Sequence, residues 1–538
     1  MKRWLACACL ALLTCAPVGG QRNAAAEDRE VDDFILGNTV FWLYHEMGHA
    51  LVRMLELPVV GREEDAVDGF GVVRMIAKGS GNGSDAALLA AARGWRLFND
   101  MADVESVFWG VHSLDLQRYY AIVCLLVGSD PEGWRQLAVD AGVPEERIDE
   151  CPGEYELMRG GWERLLAPHA PTASASASNV RSGRSDGIRV TYDRPRREGD
   201  RRLQTLIQDS GLVEAAVDDV LSLAELPAVL RVRFGDCQQD GFFDPVALEV
   251  RICYSLLAMF RSFVRNDVAD RSEDGARGET AVFIPGLSFD EETVALFVLG
   301  NTVFAVYHEL ATALIHDLDL PIVVGESNAA DSFAAVLMIP EGPGEPLADE
   351  LVIEAANGWY LTGLALGEKG GEVTAWSGDD VNLQRYYDVI CLFVGSDRRG
   401  LMTFERKAGL PRDRARWCGR DYEMAVLGWR ELLRPHASSG ASGPGVIDVV
   451  HEEASGEGNR NLRDLVRDSG VVEAAADSVL SLVDLPRDLQ VVIKDCEGGD
   501  SGDETFFDVD GGRVVVCHRF LARLEALIRE DISQGKGL

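Results

Sequence analysis

The chain is written twice, and this repeat governs how it can be organised. "LGNTVFWLYHE" (Leu36 to Glu46) returns as "LGNTVFAVYHE" (Leu299 to Glu309). "LQRYYAIVCLLVGSD" (Leu116 to Asp130) returns as "LQRYYDVICLFVGSD" (Leu383 to Asp397), and "DSGLVEAAVDDVLSLAELP" (Asp209 to Pro227) as "DSGVVEAAADSVLSLVDLP" (Asp468 to Pro486). Each copy has two parts: part A spans residues 31–170 and again 288–437, and part B spans 198–268 and again 457–532. The stretches "APTASASASNVRSGRSDG" and "HASSGASGPG" separate A from B and read as flexible linkers.

Part A reads as mostly helical. Apolar residues recur at helical spacing from Phe34 to Leu57, where Pro58 follows; Glu63 to Ile76 and "DLQRYYAIVCLLVG" are further helices. Part B opens with helices over "LQTLIQDSG" and "VEAAVDDVLSLAEL". Two strands follow, "LRVRF" and "LEVRICY", joined by the turn-rich "GDCQQDGFFDPVA". The expected class is α+β, helix-dominated and internally duplicated.

Within the first copy, "HEMGH" places His45 and His49 four residues apart on one helix face, where two imidazoles can share one Zn2+, with Glu46 beside the metal as a base. Downstream, "EEDAVDGF" supplies Glu64 and Asp68 on a following helix. This pair resembles that of gluzincin-type peptidases, and the likeness implies Glu64 as third zinc ligand and Asp68 as the carboxylate that orients a ligand His. Glu63 is the rival ligand. In "WGVHSLDLQRYY", His112, Tyr119 or Tyr120 could donate to the oxyanion formed when a carbonyl is attacked.

The second copy acts as an internal control. His45 and Glu46 persist as His308 and Glu309, but His49 becomes Thr312, Glu64 becomes Ser327 and His112 becomes Asp379. Glu63 keeps its counterpart Glu326, which favours Glu64 as the ligand, and Asp68 keeps Asp331. Three proposed site residues are lost together while their apolar neighbours stay. A site with His308 as its one nitrogen ligand should not hold catalytic zinc.

Part A resembles the bacterial "putative metallopeptidase" family, a domain of unknown function, through "HEMGH", "LPVVGREEDAVD" and "HSLDLQRYYAIVCLLVGSDP". Part B resembles that family's N-terminal portion through "DCQQDGFFDPVALEVRIC". The family order is B then A, whereas this chain runs A-B-A-B. That leaves open a crossed arrangement, in which the middle B joins the second A and the first A pairs with the last B. The likeness implies a zincin-like fold and a zinc peptidase acting on peptide or protein.

The N-terminus carries Lys2 and Arg3, an apolar run from Trp4 to about Pro17, and small residues offering cleavage after Gly20 or Ala26. Residues 1–26 therefore read as an export signal, too short to span a bilayer. A lipid anchor at Cys15 is the weaker alternative, because Thr14 precedes it. No other apolar run looks long enough to cross a membrane, so the mature chain is expected in the periplasm or outside the cell. Cys124, Cys151, Cys237, Cys253, Cys391, Cys418, Cys496 and Cys517 remain after the signal; their repeat-matched spacing suggests one bridge inside each part. A net charge of −36 argues against nucleic acid as a partner. The leading expectation is an exported zinc metallopeptidase whose first copy attacks peptide bonds with zinc-bound water and whose second is a pseudo-enzyme lobe. The rivals are a non-catalytic exported metal-binding or scaffold protein, and a zinc hydrolase of non-peptide substrates. Oligomeric state is not legible.

Overall fold

The computed structural model describes residues 19–78, 84–101, 108–171, 187–237, 241–270, 291–339, 346–368, 375, 377, 381–396, 404–438, 445–496 and 505–533. Residues 1–18, the greater part of the expected export signal, lie outside them. Helices dominate, and two small sheets complete an internally duplicated α+β architecture.

Part A of the first copy contains α1 (Gly19–Met54), α2 (Glu63–Lys78), α3 (Ser84–Met101), α4 (Asp115–Ser129), α5 (Pro131–Asp140) and α6 (Glu145–Leu166). The helix expected from Phe34 to Leu57 thus starts at Gly19 and stops at Met54, short of Pro58. Helices α3, α5 and α6 were not foreseen. α1 is the axis on which α2 and α3 pack. Two glycines set those distances. A Cβ on Gly37 would meet the Ala87 carbonyl of α3 at 2.3 Å, and one on Gly48 would meet Val67 of α2 at 2.9 Å. Gly48 lies between the two histidines of "HEMGH", so its missing side chain lets α2 carry Glu64 and Asp68 up to them.

Part B of the first copy contains β1 (Ile188–Tyr192), α7 (Glu198–Ser210), α8 (Leu212–Leu223), β2 (Leu230–Gly235), β3 (Gly241–Asp244), β4 (Glu249–Cys253) and α9 (Tyr254–Asp270). The sheet order is β1-β2-β4-β3. β1, β2 and β4 are parallel, and β3 is an antiparallel edge strand. β2 and β4 are the two strands read from sequence. β1 lies before residue 198, and β3 hides in the turn-rich stretch as "GFFD". Val232, Phe234, Val250 and Ile252 bury one face completely, as alternation along a half-covered sheet requires.

The second copy repeats this plan. Its part A holds α10 (Glu291–Asp317), α11 (Glu326–Met338), α12 (Pro346–Ala365), α13 (Asn382–Ser396) and α14 (Arg412–Leu433). Its part B holds β5 (Ile447–His451), α15 (Glu457–Ser469), α16 (Val471–Leu482), β6 (Leu489–Lys494), β7 (Thr505–Asp508), β8 (Arg513–Cys517) and α17 (His518–Ser533), with sheet order β5-β6-β8-β7. The bridges Cys124–Cys151, Cys237–Cys253, Cys391–Cys418 and Cys496–Cys517 form, one inside each part.

Each part B docks on the part A that precedes it. β3, β4, α8 and α9 pack on α1, and β7, β8, α16 and α17 pack on α10. The crossed arrangement considered from sequence is therefore not the one adopted. In the first copy a buried lock joins the parts: Arg74 donates twice to Asp219, at 2.9 and 2.7 Å, and Tyr44 donates to the same carboxylate at 3.1 Å.

The two parts A also pack against each other, with pseudo-two-fold symmetry. Gly161 of α6 sits on the Ile322 carbonyl, and its counterpart Gly428 of α14 sits on the carbonyl of Val59, the counterpart of Ile322. Reciprocal contacts of this kind define a self-complementary interface. Arg62 ties the copies further: it ion-pairs with Asp388, and its backbone N–H donates to Asn328 Oδ1 at 2.9 Å. One helical segment, Thr293–Asp317, does reach the length and apolarity of a membrane span, contrary to the sequence expectation, but 78% of its most apolar window is buried inside the fold. It is the core axis of the second copy.

Candidate metal centre

His45 and His49 project from one face of α1 with ring centroids 4.9 Å apart. α2 delivers carboxylates to both nitrogens of each ring. His45 Nδ1 donates to Asp68 Oδ1 at 2.7 Å, and His49 Nδ1 donates to Glu63 Oε1 at 2.7 Å. The other nitrogens converge. Nε2 of His45, of His49 and of His112 lie 3.2, 3.2 and 3.0 Å from the single oxygen Oε2 of Glu64. Tetrahedral zinc with ligand bonds of about 2.0–2.1 Å separates its ligand atoms by roughly 3.3 Å. The donors suit such an ion in chemistry, and His49 Nε2 enters this spacing through its approach to Glu64. His45, Glu64 and His112 each bring one ligand atom within 4.8 Å of the others.

The electrostatics follow from burial and partners. Burial disfavours charge on Asp68, but the Arg118 guanidinium and the His45 hydrogen bond overcome it and hold the carboxyl at about 2. Arg118 itself is clamped, bidentate on Asp68 and stacked 3.5 Å over the Trp95 ring, a desolvated cation–π contact of about 2 kcal/mol. Burial works against protonation of His45, yet Asp68 and Glu64 raise it to about 9. His49 is also raised, because Glu63 and Glu64 outweigh burial. For Glu64, burial is again opposed, and the surrounding imidazoles hold it well below the usual carboxylate range. Glu46 behaves oppositely. It is 4% exposed, and burial pushes its carboxyl up despite the nearby histidines. A carboxylate raised in this way is a better proton acceptor.

The structure thus brings His45, His49, Glu64, His112 and Asp68 together with Glu46 beside them. Glu63, the rival ligand, faces the Nδ1 side of His49 and not the convergence point. The two tyrosines turn away: Tyr120 donates to the Ala141 carbonyl, and Tyr119 lies under Arg96. Sequence reasoning missed Arg118, Trp95 and Arg420. Arg420, from α14 of the second copy, donates to Glu63 Oε2 at 3.2 Å. The repeated "LQRYY" held a signal for Arg118, since its counterpart Arg385 is retained.

The second copy keeps the support and loses the donors. His308 Nδ1 donates to Asp331 at 2.7 Å, Asp331 receives two bonds of 2.6 Å from Arg385, and Arg385 stacks 3.5 Å over Trp359. Thr312 and Ser327 stand where His49 and Glu64 stand in the first copy; Asp379 lies outside the described residues. Glu309 is engaged by Thr505 of β7, whose hydroxyl donates at 3.0 Å. The counterpart of Thr505 is Gly241 of β3, which has no side chain to lay on Glu46.

Two regions, residues 8–166 and 192–433, match the protein family described as "Putative metallopeptidase". The chain belongs to this family. The first region covers the first part A; the second runs from the first part B through the second part A. No curated protein and no solved structure matches the chain. Membership of a metallopeptidase family agrees with a centre whose donors suit a metal ion, and four disulfides agree with an oxidising compartment.

Proposed function

We propose that this chain is an exported zinc peptidase whose chemistry resides in the first copy. The observation that carries the reading is the convergence of three imidazole Nε2 atoms on Glu64 Oε2 beside a buried Glu46. His45, His49 and Glu64 would hold the ion. Zinc there supplies Lewis-acid polarisation of a carbonyl and acidifies water. Asp68 and Glu63 fix the Nδ1–H tautomers, so each Nε2 presents its lone pair. Glu46, with its raised proton affinity, accepts a proton from the attacking water and passes it to the leaving amine. His112, 42% exposed and at the edge of the cluster, donates to the developing oxyanion. The second copy, without His49 and Glu64 counterparts, is a non-catalytic lobe. Replacing Glu46 with Gln should leave zinc at one equivalent and abolish peptide hydrolysis. Loss of metal with activity retained would sink the assignment.

A second reading has one specific observation behind it. His112 Nε2 is as near Glu64 as the two α1 histidines are, so it could complete four protein ligands and close the site as structural zinc. The His112→Ala variant separates the two. A donor role predicts full zinc content and a fall in kcat of about 10²–10³, whereas a ligand role predicts loss of zinc.

A further inference from the structure

The candidate centre opens into a cavity of about 490 Å³ that no single part of the chain encloses. Trp42 from α1 and Phe242 and Phe243 from β3 form walls supplied by the first copy. The second copy closes the cavity with α11, α13 and α14, and α14 contributes Trp417, Arg420 and Met424. These residues are three and four apart and share one helix face. Trp417 is 56% exposed and lines the cavity, so part of its ring surface is open to a ligand.

The repeat supplies a control for this face. By pseudo-symmetry, α6 of the first copy lines the cavity over the degenerate site, which also contains Glu309 and Thr312. The positions matching Trp417, Arg420 and Met424 are Glu150, Gly153 and Leu157. Other residues of the same helices are conserved in kind. Arg147 pairs with Glu154 at 2.6 Å, and Arg414 pairs with Asp421 at 2.6 Å. Structural needs have kept the ion pair in both copies, while at the three matched positions a ring and a guanidinium appear only on the helix that faces the complete donor set. Aromatic residues from three separate units therefore meet beside one metal-type site.

We propose that the second copy is the specificity wall of the first: Trp417, on the helix face it shares with Met424, binds a large apolar side chain next to the cleaved bond of a peptide. Arg420 anchors this wall to the centre through its bond to Glu63. The inference rests on the peptidase reading and extends it to a substrate class.

The test uses the full-length, zinc-loaded protein and a mixture-based peptide library read by mass spectrometry. Wild-type protein should cut beside large apolar residues. Trp417→Ala should lower that preference about tenfold, mainly through KM, with zinc content unchanged; Trp417→Phe should restore it, and Glu150→Ala should change nothing. In parallel, binding of an uncleaved apolar peptide from the library to the Glu46→Gln protein should weaken about tenfold when Trp417→Ala is added. Cleavage with an unchanged preference profile in Trp417→Ala overturns the wall and spares the peptidase reading. Binding that depends on Trp417, without cleavage by the wild type, overturns the peptidase reading and spares the wall. Neither cleavage nor binding overturns both.

Discussion

Asp68 holds both His45 and Arg118, and Arg118 is itself stacked on Trp95, so the carboxylate is oriented from two sides. Asp68→Asn should remove the charge that sets the His45 tautomer. Zinc affinity should drop about 10–100-fold, measured by competition with a chromophoric chelator, while circular dichroism stays native. Proton competition gives a second prediction. His45 is held protonated up to about 9, and a metal ligand must give up that proton. Zinc affinity should therefore rise with pH from neutrality to about 9, and the raised His49 extends the rise in the same direction. A pH-independent affinity between 6 and 9, on titration of the apo protein, would contradict the arrangement. Activity adds an acidic limb: since burial raises Glu46, the limb of kcat/KM should lie above the usual carboxylate range. Much of this scale was readable from sequence, because helical spacing places His45 beside His49 whatever surrounds them. Glu63, the rival ligand, meets Nδ1 of His49, on the side away from the convergence point. Two adjacent acids at a helix start look alike in sequence, and only the helix rotation decides which meets Nε2.

The edge strands β3 and β7 show how one element can open or close a site. Thr505 donates a hydroxyl to Glu309, and Gly241 has no hydroxyl to offer the buried Glu46. Importing the second-copy pair, as Gly241→Thr with Ile252→Val to match Thr505 opposite Val516, should place a hydroxyl on the Glu46 carboxylate. kcat should fall at least tenfold with zinc retained; unchanged kcat would show that β3 does not reach the base. These strands were invisible in the sequence for a physical reason. Each is four residues long and lies next to a turn, so neither alternation nor length distinguishes it from a loop. The long helices α1 and α10 were legible because their apolar periodicity persists over many turns, although their ends were not.

On the scale of the whole molecule, the repeat announced two copies but could not say how four parts pair, because identical surfaces are offered twice. The matched family region that runs from the first part B into the second part A crosses the spatial pairing. The lock between α1, α2 and α8 has no duplicate. Where the first copy buries Asp219 against Arg74, the second has Ser478 facing Tyr307, and Leu337 at the arginine position. Asp219→Ala should destabilise the first copy by about 3–5 kcal/mol, because Arg74 would lose its buried partner; chemical denaturation should show this as an early, separate transition. The same lock has a consequence during assembly. Were the first part B to settle on the second part A, Asp219 would find a leucine in place of the arginine, a buried charge left with a tyrosine hydroxyl and no cation. One ion pair thus works as an address: it makes the wrong marriage between near-identical halves costly, and it lets a chain that repeats itself tell its two halves apart.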